Sequence, residues 1–282
     1  MKKMNKKFPI TKIDFLIYLV IIPLLLIVIF LFPSWVTDFF KLNLNQPNLI
    51  SIFFSNYTHQ AFSHLAGNLI AYFILILLIL SIEKNKKEFY GFSVFAFFIF
   101  PFVIYPVTQF FFNLFHIYGF PPMLGFSGIV AFFNGYFFYC LYKFLKVVAF
   151  KELKLQFVVL LLTLDIIVWA VSILNFYLIL LTLLFLALLI FNNLQGIKGV
   201  LLYLNKKIIR NDKPKRPINW KGFGIFVLFL VPLFTLISLL PSNPRTPIGI
   251  VNTPVHFFGL IMGIFLPYLY ELVKSMKEKN KK

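Results

Sequence analysis

Long apolar stretches alternate with short basic segments along the whole chain. A helix needs about 20 mostly apolar residues to cross the hydrocarbon core of a bilayer. Eight stretches approach or reach that length, and their hydropathy predicts a membrane-spanning helix in each. The pattern therefore predicts an all-α, polytopic membrane protein of about eight spans. The predicted spans lie at roughly 15–33, 63–82, 89–112, 125–142, 156–174, 177–192, 222–240 and 255–273.

The basic residues predict how these spans are oriented. With eight spans, all but two of the 27 Lys and Arg residues fall on one side, and only Lys41 and Arg245 fall on the other. The positive-inside rule places the basic side, and both termini, in the cytoplasm. The segment 156–192 counts as two short spans, because one long kinked helix would reverse the side of the later loops. The predicted parts are a basic segment at 1–14, a membrane domain at 15–275 and a basic tail at 276–282.

Composition supports a multi-pass protein of the cell membrane. The 282 residues are 60% hydrophobic and only 13% charged, whereas soluble domains are nearer half apolar and a quarter charged. The net charge of +18 follows from the basic loops, so it calls for no nucleic-acid partner. Attraction of the loop at 195–221 to anionic lipid remains open. A single cysteine, Cys140, excludes an intrachain disulfide and a Cys-based metal site.

Polar residues inside spans are costly and usually functional, and one cluster of them opens the second predicted span. His64 and Asn68 are four residues apart, so they share one face of a helix. An imidazole and an amide can both donate hydrogen bonds, and together they can hold a developing oxyanion. The alternative is a polar pair that joins two helices.

A second cluster, Gly125-Phe126-Ser127-Gly128, opens the fourth predicted span. A glycine turn at a helix start exposes the Ser127 hydroxyl, and the first backbone N–H groups of a helix have no intrahelical partner. That arrangement suits an oxyanion beside the serine. The alternative is a tightly packed turn with a helix-capping serine.

The third cluster opens the last predicted span. His256, Gly259 and Gly263 recur along one stripe of a helix, and glycines four apart allow a neighbouring backbone to approach closely. Packed against Gly128, this stripe would bring the His256 ring to the Ser127 hydroxyl, which needs an adjacent base to become a nucleophile. The alternative is a histidine bonded to a loop carbonyl.

The predicted topology gives all three clusters the same depth. The second, fourth and eighth spans all run from outside to inside, and each cluster lies at the outer end of its span. Independent packing motifs would have no reason to share one level. The three clusters are therefore expected to meet just below the outer surface.

These three motifs, in this order, resemble those of the rhomboid family of intramembrane serine proteases, in a prokaryotic, archaeal-like form. The family has His-x-x-x-Asn in one helix, Gly-x-Ser-Gly at a helix start and His-x-x-Gly-x-x-x-Gly in the last catalytic helix. The corresponding stretches here are 64–68, 125–128 and 256–263. His59 also matches a histidine that the family uses to brace its first outer loop.

The likeness covers roughly 45–146 and 222–275, which would form the catalytic core. It implies a rhomboid-like core of six helices with two extra transmembrane helices at 156–192. The extra pair keeps the parity that starts the last helix outside.

The resemblance implies a serine–histidine dyad without a third carboxylate and without a metal or organic cofactor. Ser127 would attack a peptide carbonyl, and His256 would take its proton and return it to the leaving amine. His64, Asn68 and the Ser127 N–H would hold the oxyanion. The implied partners are the lipid bilayer and single-span membrane proteins, cut near the outer edge of a span. Substrate identity and oligomeric state stay open.

Two features depart from the family pattern. The family's bacterial type has a tyrosine four residues after the serine, stacked on the catalytic histidine, and Ala131 occupies that position here. Phe132 or another aromatic is a candidate substitute for orienting His256. The loop 34–62 contains Trp35 but no arginine, so the Trp-Arg pair of that type is absent.

Two other functions remain as alternatives to a protease. A catalytically inactive relative would bind membrane segments, although such relatives usually lose the serine or the histidine. A transporter would use Asp165, in the fifth predicted span, and His256 as a proton path, but the sequence has no repeated halves of the kind transporters show. Asp165 more simply predicts a structural contact with Thr163 or Trp169.

Overall fold

The computed structural model shows a helical membrane protein. Five helices are long and apolar enough to cross a membrane, namely Lys12–Phe30, Phe62–Ile82, Lys86–Leu114, Ser127–Val147 and Pro254–Glu278. Each coincides with a predicted span to within a few residues at its start. The structure describes residues 10–114, 123–148, 158–159, 162–163, 166–167, 170, 176–192, 194–195, 197–198, 245–246, 249–250 and 253–280.

The described elements include eight helices, one 3-10 turn at Ser55–Tyr57 and two short strands. The helices are α1 (Lys12–Phe30), α2 (Ser34–Phe40), α3 (Leu49–Phe54), α4 (Phe62–Ile82), α5 (Lys86–Leu114), α6 (Ser127–Val148), α7 (Phe176–Asn192) and α8 (Thr253–Lys279). The strands are β1 (Arg245–Thr246) and β2 (Gly249–Ile250).

The predicted sixth span is α7, a helix of 17 residues, and its crossing of the membrane stays a prediction. The predicted fifth span, 156–174, lies largely outside the described residues, and the seventh, 222–240, lies wholly outside them. The prediction of an all-helical fold is confirmed for the described residues, apart from β1 and β2, which at two residues each are too short to leave a periodic pattern. It also missed α2 and α3 within the loop 34–62.

The chain divides into two compact units. One consists of Met1–Tyr136 with Pro247–Lys282, and the other of Phe137–Thr246. The residues of the three motifs, and His59, all belong to the first unit.

The start of α1 is held by a buried carboxylate. The Asp14 carboxylate accepts a hydrogen bond from Thr11 N–H at 2.8 Å, while the Thr11 hydroxyl accepts one from Asp14 N–H at 3.1 Å, which forms a capping box. Asp14 also accepts from the Tyr90 hydroxyl at 2.8 Å and pairs with the Lys86 ammonium at 3.1 Å. These contacts tie the start of α1 to the start of α5.

The start of α6 is anchored by aromatic packing. Phe126, the residue before the helix, is fully buried. Its ring stacks on Phe97 of α5 with centroids 6.3 Å apart and meets Tyr72 of α4 edge-on at 5.6 Å. Phe133, two turns further on, also packs on Phe97 at 5.3 Å. Because Phe126 is fixed in the core, it also fixes the position of Ser127, the next residue in the chain.

Candidate active site

Ser127 is the first residue of α6. The Phe126 carbonyl accepts hydrogen bonds from Ile129 N–H at 3.0 Å and Val130 N–H at 3.1 Å, so Phe126 is the N-cap of the helix. The N–H groups of Ser127 and Gly128 donate no hydrogen bond to the backbone of any described residue, as expected at a helix start. Two backbone donors and the positive end of the helix dipole thus lie beside the hydroxyl.

His256 lies in the first turn of α8, 129 residues further along the chain. Its Nε2 atom is 2.7 Å from the Ser127 hydroxyl oxygen, which is a hydrogen bond. The imidazole is buried, with 5% of its surface exposed, while Ser127 is half-buried. An Nε2 atom that accepts the hydroxyl proton is the arrangement that general-base activation of a serine requires.

Glycines bring α6 and α8 into backbone contact below this pair. A methyl group on Gly259 would lie 2.6 Å from the Gly128 carbonyl oxygen and 3.2 Å from the Ala131 side chain. A methyl group on Gly263 would overlap the Phe132 carbonyl. Since both spaces are already filled by α6 backbone, only glycine fits at these two positions of α8.

Gly135 is a third member of this contact that the sequence analysis missed. A methyl group there would overlap the Leu260 carbonyl and lie 3.1 Å from the Gly263 Cα atom. Gly135 follows Gly128 by seven residues and lies on the same helix stripe. That spacing is the signal that would have identified it.

Ala131 also belongs to this interface. Its side chain is buried between the helices and lies close to Gly259, where a tyrosine would have no room. Phe132, the aromatic residue that the sequence analysis named as a substitute, packs its ring on Phe100 of α5 at 5.5 Å. The small residue at position 131 is therefore part of the close approach of α6 and α8.

The segment before Ser127 is held by backbone hydrogen bonds from residues 42–59. Leu42 and Met123 form an antiparallel bridge, with N–H to carbonyl distances of 3.0 and 2.9 Å. The Gly125 N–H donates to the Ser55 carbonyl at 2.8 Å. The sequence analysis did not predict these contacts of the loop 34–62, because hydrogen bonds of the backbone leave no signature in the pattern of side chains.

Gly125 adopts a backbone conformation that favours glycine. Its φ angle is +126°, in a region that other residues rarely occupy. A methyl group on Gly125 would lie 2.9 Å from Cε1 and 3.4 Å from Nε2 of His64, and 3.8 Å from the Ser127 hydroxyl oxygen. The absent side chain thus leaves a space bordered by the His64 ring and the Ser127 hydroxyl.

Asn68 reaches the same region through His59. The Asn68 amide nitrogen is 3.0 Å from Nε2 of His59, and the Phe126 N–H donates to the same Nε2 atom at 3.4 Å. The His59 and His64 rings meet edge-to-face, with centroids 5.1 Å apart. Burial, followed by the neighbouring His64, lowers the pKa of His59 to about 3, against a weaker opposing effect of the Tyr57 backbone.

The structure therefore brings together all nine residues that the motifs singled out. Asp165, the remaining candidate, lies outside the described residues. Within the parts of the chain that the structure describes, no group of three His, Cys, Asp or Glu side chains is arranged to hold a metal ion. The nine are Ser127, His256, His64, Asn68, His59, Gly125, Gly128, Gly259 and Gly263.

No protein-family model, curated protein or solved structure matches this chain. The likeness to rhomboid proteases thus stays a prediction from three motifs.

Proposed function

We propose that the protein is an intramembrane serine endopeptidase with a rhomboid-like core, in which Ser127 is the nucleophile and His256 the base. The observation that carries the proposal is the 2.7 Å contact between the Ser127 hydroxyl oxygen and Nε2 of His256. The two residues begin two helices that are long and apolar enough to span a bilayer. A hydroxyl and an imidazole in hydrogen-bond contact at such a position have the geometry of a nucleophile and its base.

In the first step His256 removes the hydroxyl proton as Ser127 attacks the carbonyl carbon of a peptide bond. The bond between the serine oxygen and that carbon forms, and the carbonyl oxygen becomes an oxyanion. His256 then donates the proton to the leaving amine, and an acyl-enzyme remains on Ser127. A water molecule, deprotonated by His256, releases the carboxylate product and restores the serine.

The space at Gly125 is where the oxyanion would lie. His64 and the Ser127 hydroxyl border it, and the Ser127 N–H belongs to the same turn. Asn68 has a second amide hydrogen beyond the one directed at His59. Such preformed donors stabilise a developing negative charge without reorganisation, and losing one typically costs about 10²–10³-fold in kcat.

The substrate class follows from where the site lies. Ser127 and His256 stand at the ends of membrane-spanning helices, so the scissile bond belongs to a peptide segment at that depth in the bilayer. Single-span membrane proteins that unwind near one membrane face, which the predicted topology makes the outer face, meet this requirement. A helix must unwind locally there, because a helical peptide bond is enclosed by its own hydrogen bonds.

The test compares Ser127→Ala with Ser275→Ala, a control serine on the exposed end of α8. Cleavage of a single-span substrate in liposomes should disappear in the Ser127 variant and persist in the control, with equal thermal unfolding of both. A fluorophosphonate probe should label the wild type and the control, but not Ser127→Ala. Cleavage by Ser127→Ala would refute the assignment, whereas binding of membrane segments without labelling would favour the inactive relative.

A further inference from the structure

The His59 ring lies where the segment before Ser127 meets α4. Its Nε2 atom lies within hydrogen-bond distance of two donors, the Asn68 amide at 3.0 Å and the Phe126 N–H at 3.4 Å. Since the backbone N–H can only donate, Nε2 is unprotonated and the ring proton is on Nδ1. The side chain is 3% exposed, so water does not compete for these contacts.

The surroundings of His59 keep it neutral. Among the described residues, the titratable side chain that faces it is His64, whose ring is 5.1 Å away on α4. Because burial holds the pKa of His59 at about 3, the ring stays an acceptor at any pH at which a histidine of ordinary pKa can act as a base. It therefore remains available to hold both donors throughout catalysis.

We propose that His59 is a positioning residue, whose Nε2 atom holds the Asn68 amide and the Phe126 N–H so that the donors of the oxyanion site converge. The Asn68 amide uses one hydrogen for His59, which fixes the direction of the other. Phe126 is the N-cap of α6, so fixing its N–H fixes the orientation of the Ser127 N–H that follows. This role rests on the proposed protease function.

The role differs from bracing the loop, which the family resemblance implies for this histidine. Bracing would need the opposite nitrogen, Nδ1, which is buried and has no hydrogen-bond partner among the described residues. Positioning acts through Nε2, toward Asn68 and Phe126. The two nitrogens can be replaced separately, because the side-chain oxygen of glutamine reaches the Nε2 position and the side-chain amide of asparagine reaches the Nδ1 position.

The experiment therefore compares His59→Gln with His59→Asn in the full-length protein in liposomes. With a single-span substrate, the Gln variant should keep kcat within about tenfold of the wild type. The Asn variant should lose about 10²-fold in kcat with KM changed less than about threefold, as expected for a loss confined to the transition state. Equal kcat values in the two variants, or rescue by Asn alone, would overturn the positioning role.

A second measurement does not depend on the variants folding. In wild-type protein with ¹⁵N-labelled histidines, Nε2 of His59 should be unprotonated at neutral pH, and its resonance should move in Asn68→Ala. A protonated Nε2 atom, or a resonance unaffected by that substitution, would overturn the proposal. A wild type that neither cleaves nor labels would instead refute the protease function, so the two failures are distinguishable.

Discussion

Gly125 combines a backbone angle and a contact that no larger residue accommodates. Its φ of +126° is strained for residues with a side chain, and a Cβ there would lie only 2.9 Å from Cε1 of the His64 ring. The loop before Ser127 and the first turn of α4 therefore meet at a position without a side chain. One methyl group there changes both the turn and the oxyanion site.

Gly125→Ala should lower kcat by about 10²-fold, because the displaced His64 ring no longer reaches the oxyanion. Gly67→Ala is the matched control, since Gly67 lies between His64 and Asn68 on α4 and a methyl group there meets no atom within 4 Å. The measurement is the rate of substrate cleavage in liposomes. A Gly125→Ala variant as active as Gly67→Ala would show that the contact with His64 has no role in catalysis.

His59 makes the stability of the first unit depend on pH. Its pKa is about 3 in the folded protein against 6.5 for an unperturbed histidine. Between these values the unfolded chain binds a proton that the folded protein does not, so lowering the pH favours unfolding. The contribution of His59 to the free energy of unfolding is complete above pH about 6.5 and is lost as the pH falls toward 3.

The free energy of unfolding should therefore drop by up to about 1.4 kcal/mol for each pH unit in this range. His59→Gln should have a shallower slope, because glutamine does not titrate and the other ionisable groups are common to both proteins. Denaturant unfolding in micelles, followed by Trp fluorescence from pH 7 to 4, measures the difference. If the free energy of unfolding changed equally with pH in the wild type and in His59→Gln, the pKa of His59 would be the same in the folded and unfolded protein.

At the scale of elements, the contact between α6 and α8 places His256 beside Ser127. Neither helix carries the whole site, so the 2.7 Å distance between Ser127 and His256 depends on how closely the two backbones approach. That approach is set by Gly128 and Gly135 on one helix and Gly259 and Gly263 on the other. Adding a methyl group to one of these glycines would push the two helices apart and move His256 away from Ser127.

Gly263→Ala should lower the free energy of unfolding by about 1–3 kcal/mol, because the new methyl group overlaps the Phe132 carbonyl. The rate of substrate cleavage by Gly263→Ala should also fall, because His256 is displaced from Ser127. Gly91→Ala is the control on α5, where a methyl group meets nothing within 4 Å, and it should be neutral or stabilise by up to about 1 kcal/mol. If both variants unfold alike, α6 and α8 are not in close contact.

The same interface shows how much of the site could be predicted from sequence. Gly259 and Gly263 recur at helical spacing beside His256, so periodicity predicted a stripe that a neighbouring backbone can approach closely, with Gly128 as its candidate partner. The conformation of Gly125 was not predicted, since the turn depends on where His64 lies after folding.

The remaining contributions come from backbone atoms of a loop. Leu42 and Ser55 hold the segment before Ser127 through N–H and carbonyl groups that any residue would supply. No pattern of side chains marks such positions. The sequence therefore located the loop 34–62 but did not show that its backbone holds the segment before Ser127. The long spans were predictable for the opposite reason, because about 20 apolar residues leave a signal that short loops do not.

At the scale of the molecule, helix length bears on how the chain crosses the bilayer, and the distribution of charge predicts which end faces the cytoplasm. The 27 residues of α8 extend about 40 Å at the helical rise per residue, which exceeds the roughly 30 Å of the hydrocarbon core. Its last turns carry exposed lysines, and Lys274 lies 3.8 Å from Glu88 near the start of α5. Lysines at this end of the helix favour the cytoplasmic face.

The orientation can be tested with single introduced cysteines at two exposed positions. Gln46 lies in the loop before α3 and Lys277 in the last turns of α8. If the basic side is cytoplasmic, a membrane-impermeant thiol reagent should label Gln46→Cys in intact cells, and Lys277→Cys only after permeabilisation. The wild type, whose Cys140 is buried, supplies the background. Labelling of Lys277→Cys in intact cells would reverse the topology, and Ser127 and His256 would then face the cytoplasm, where a different set of membrane segments would be cut.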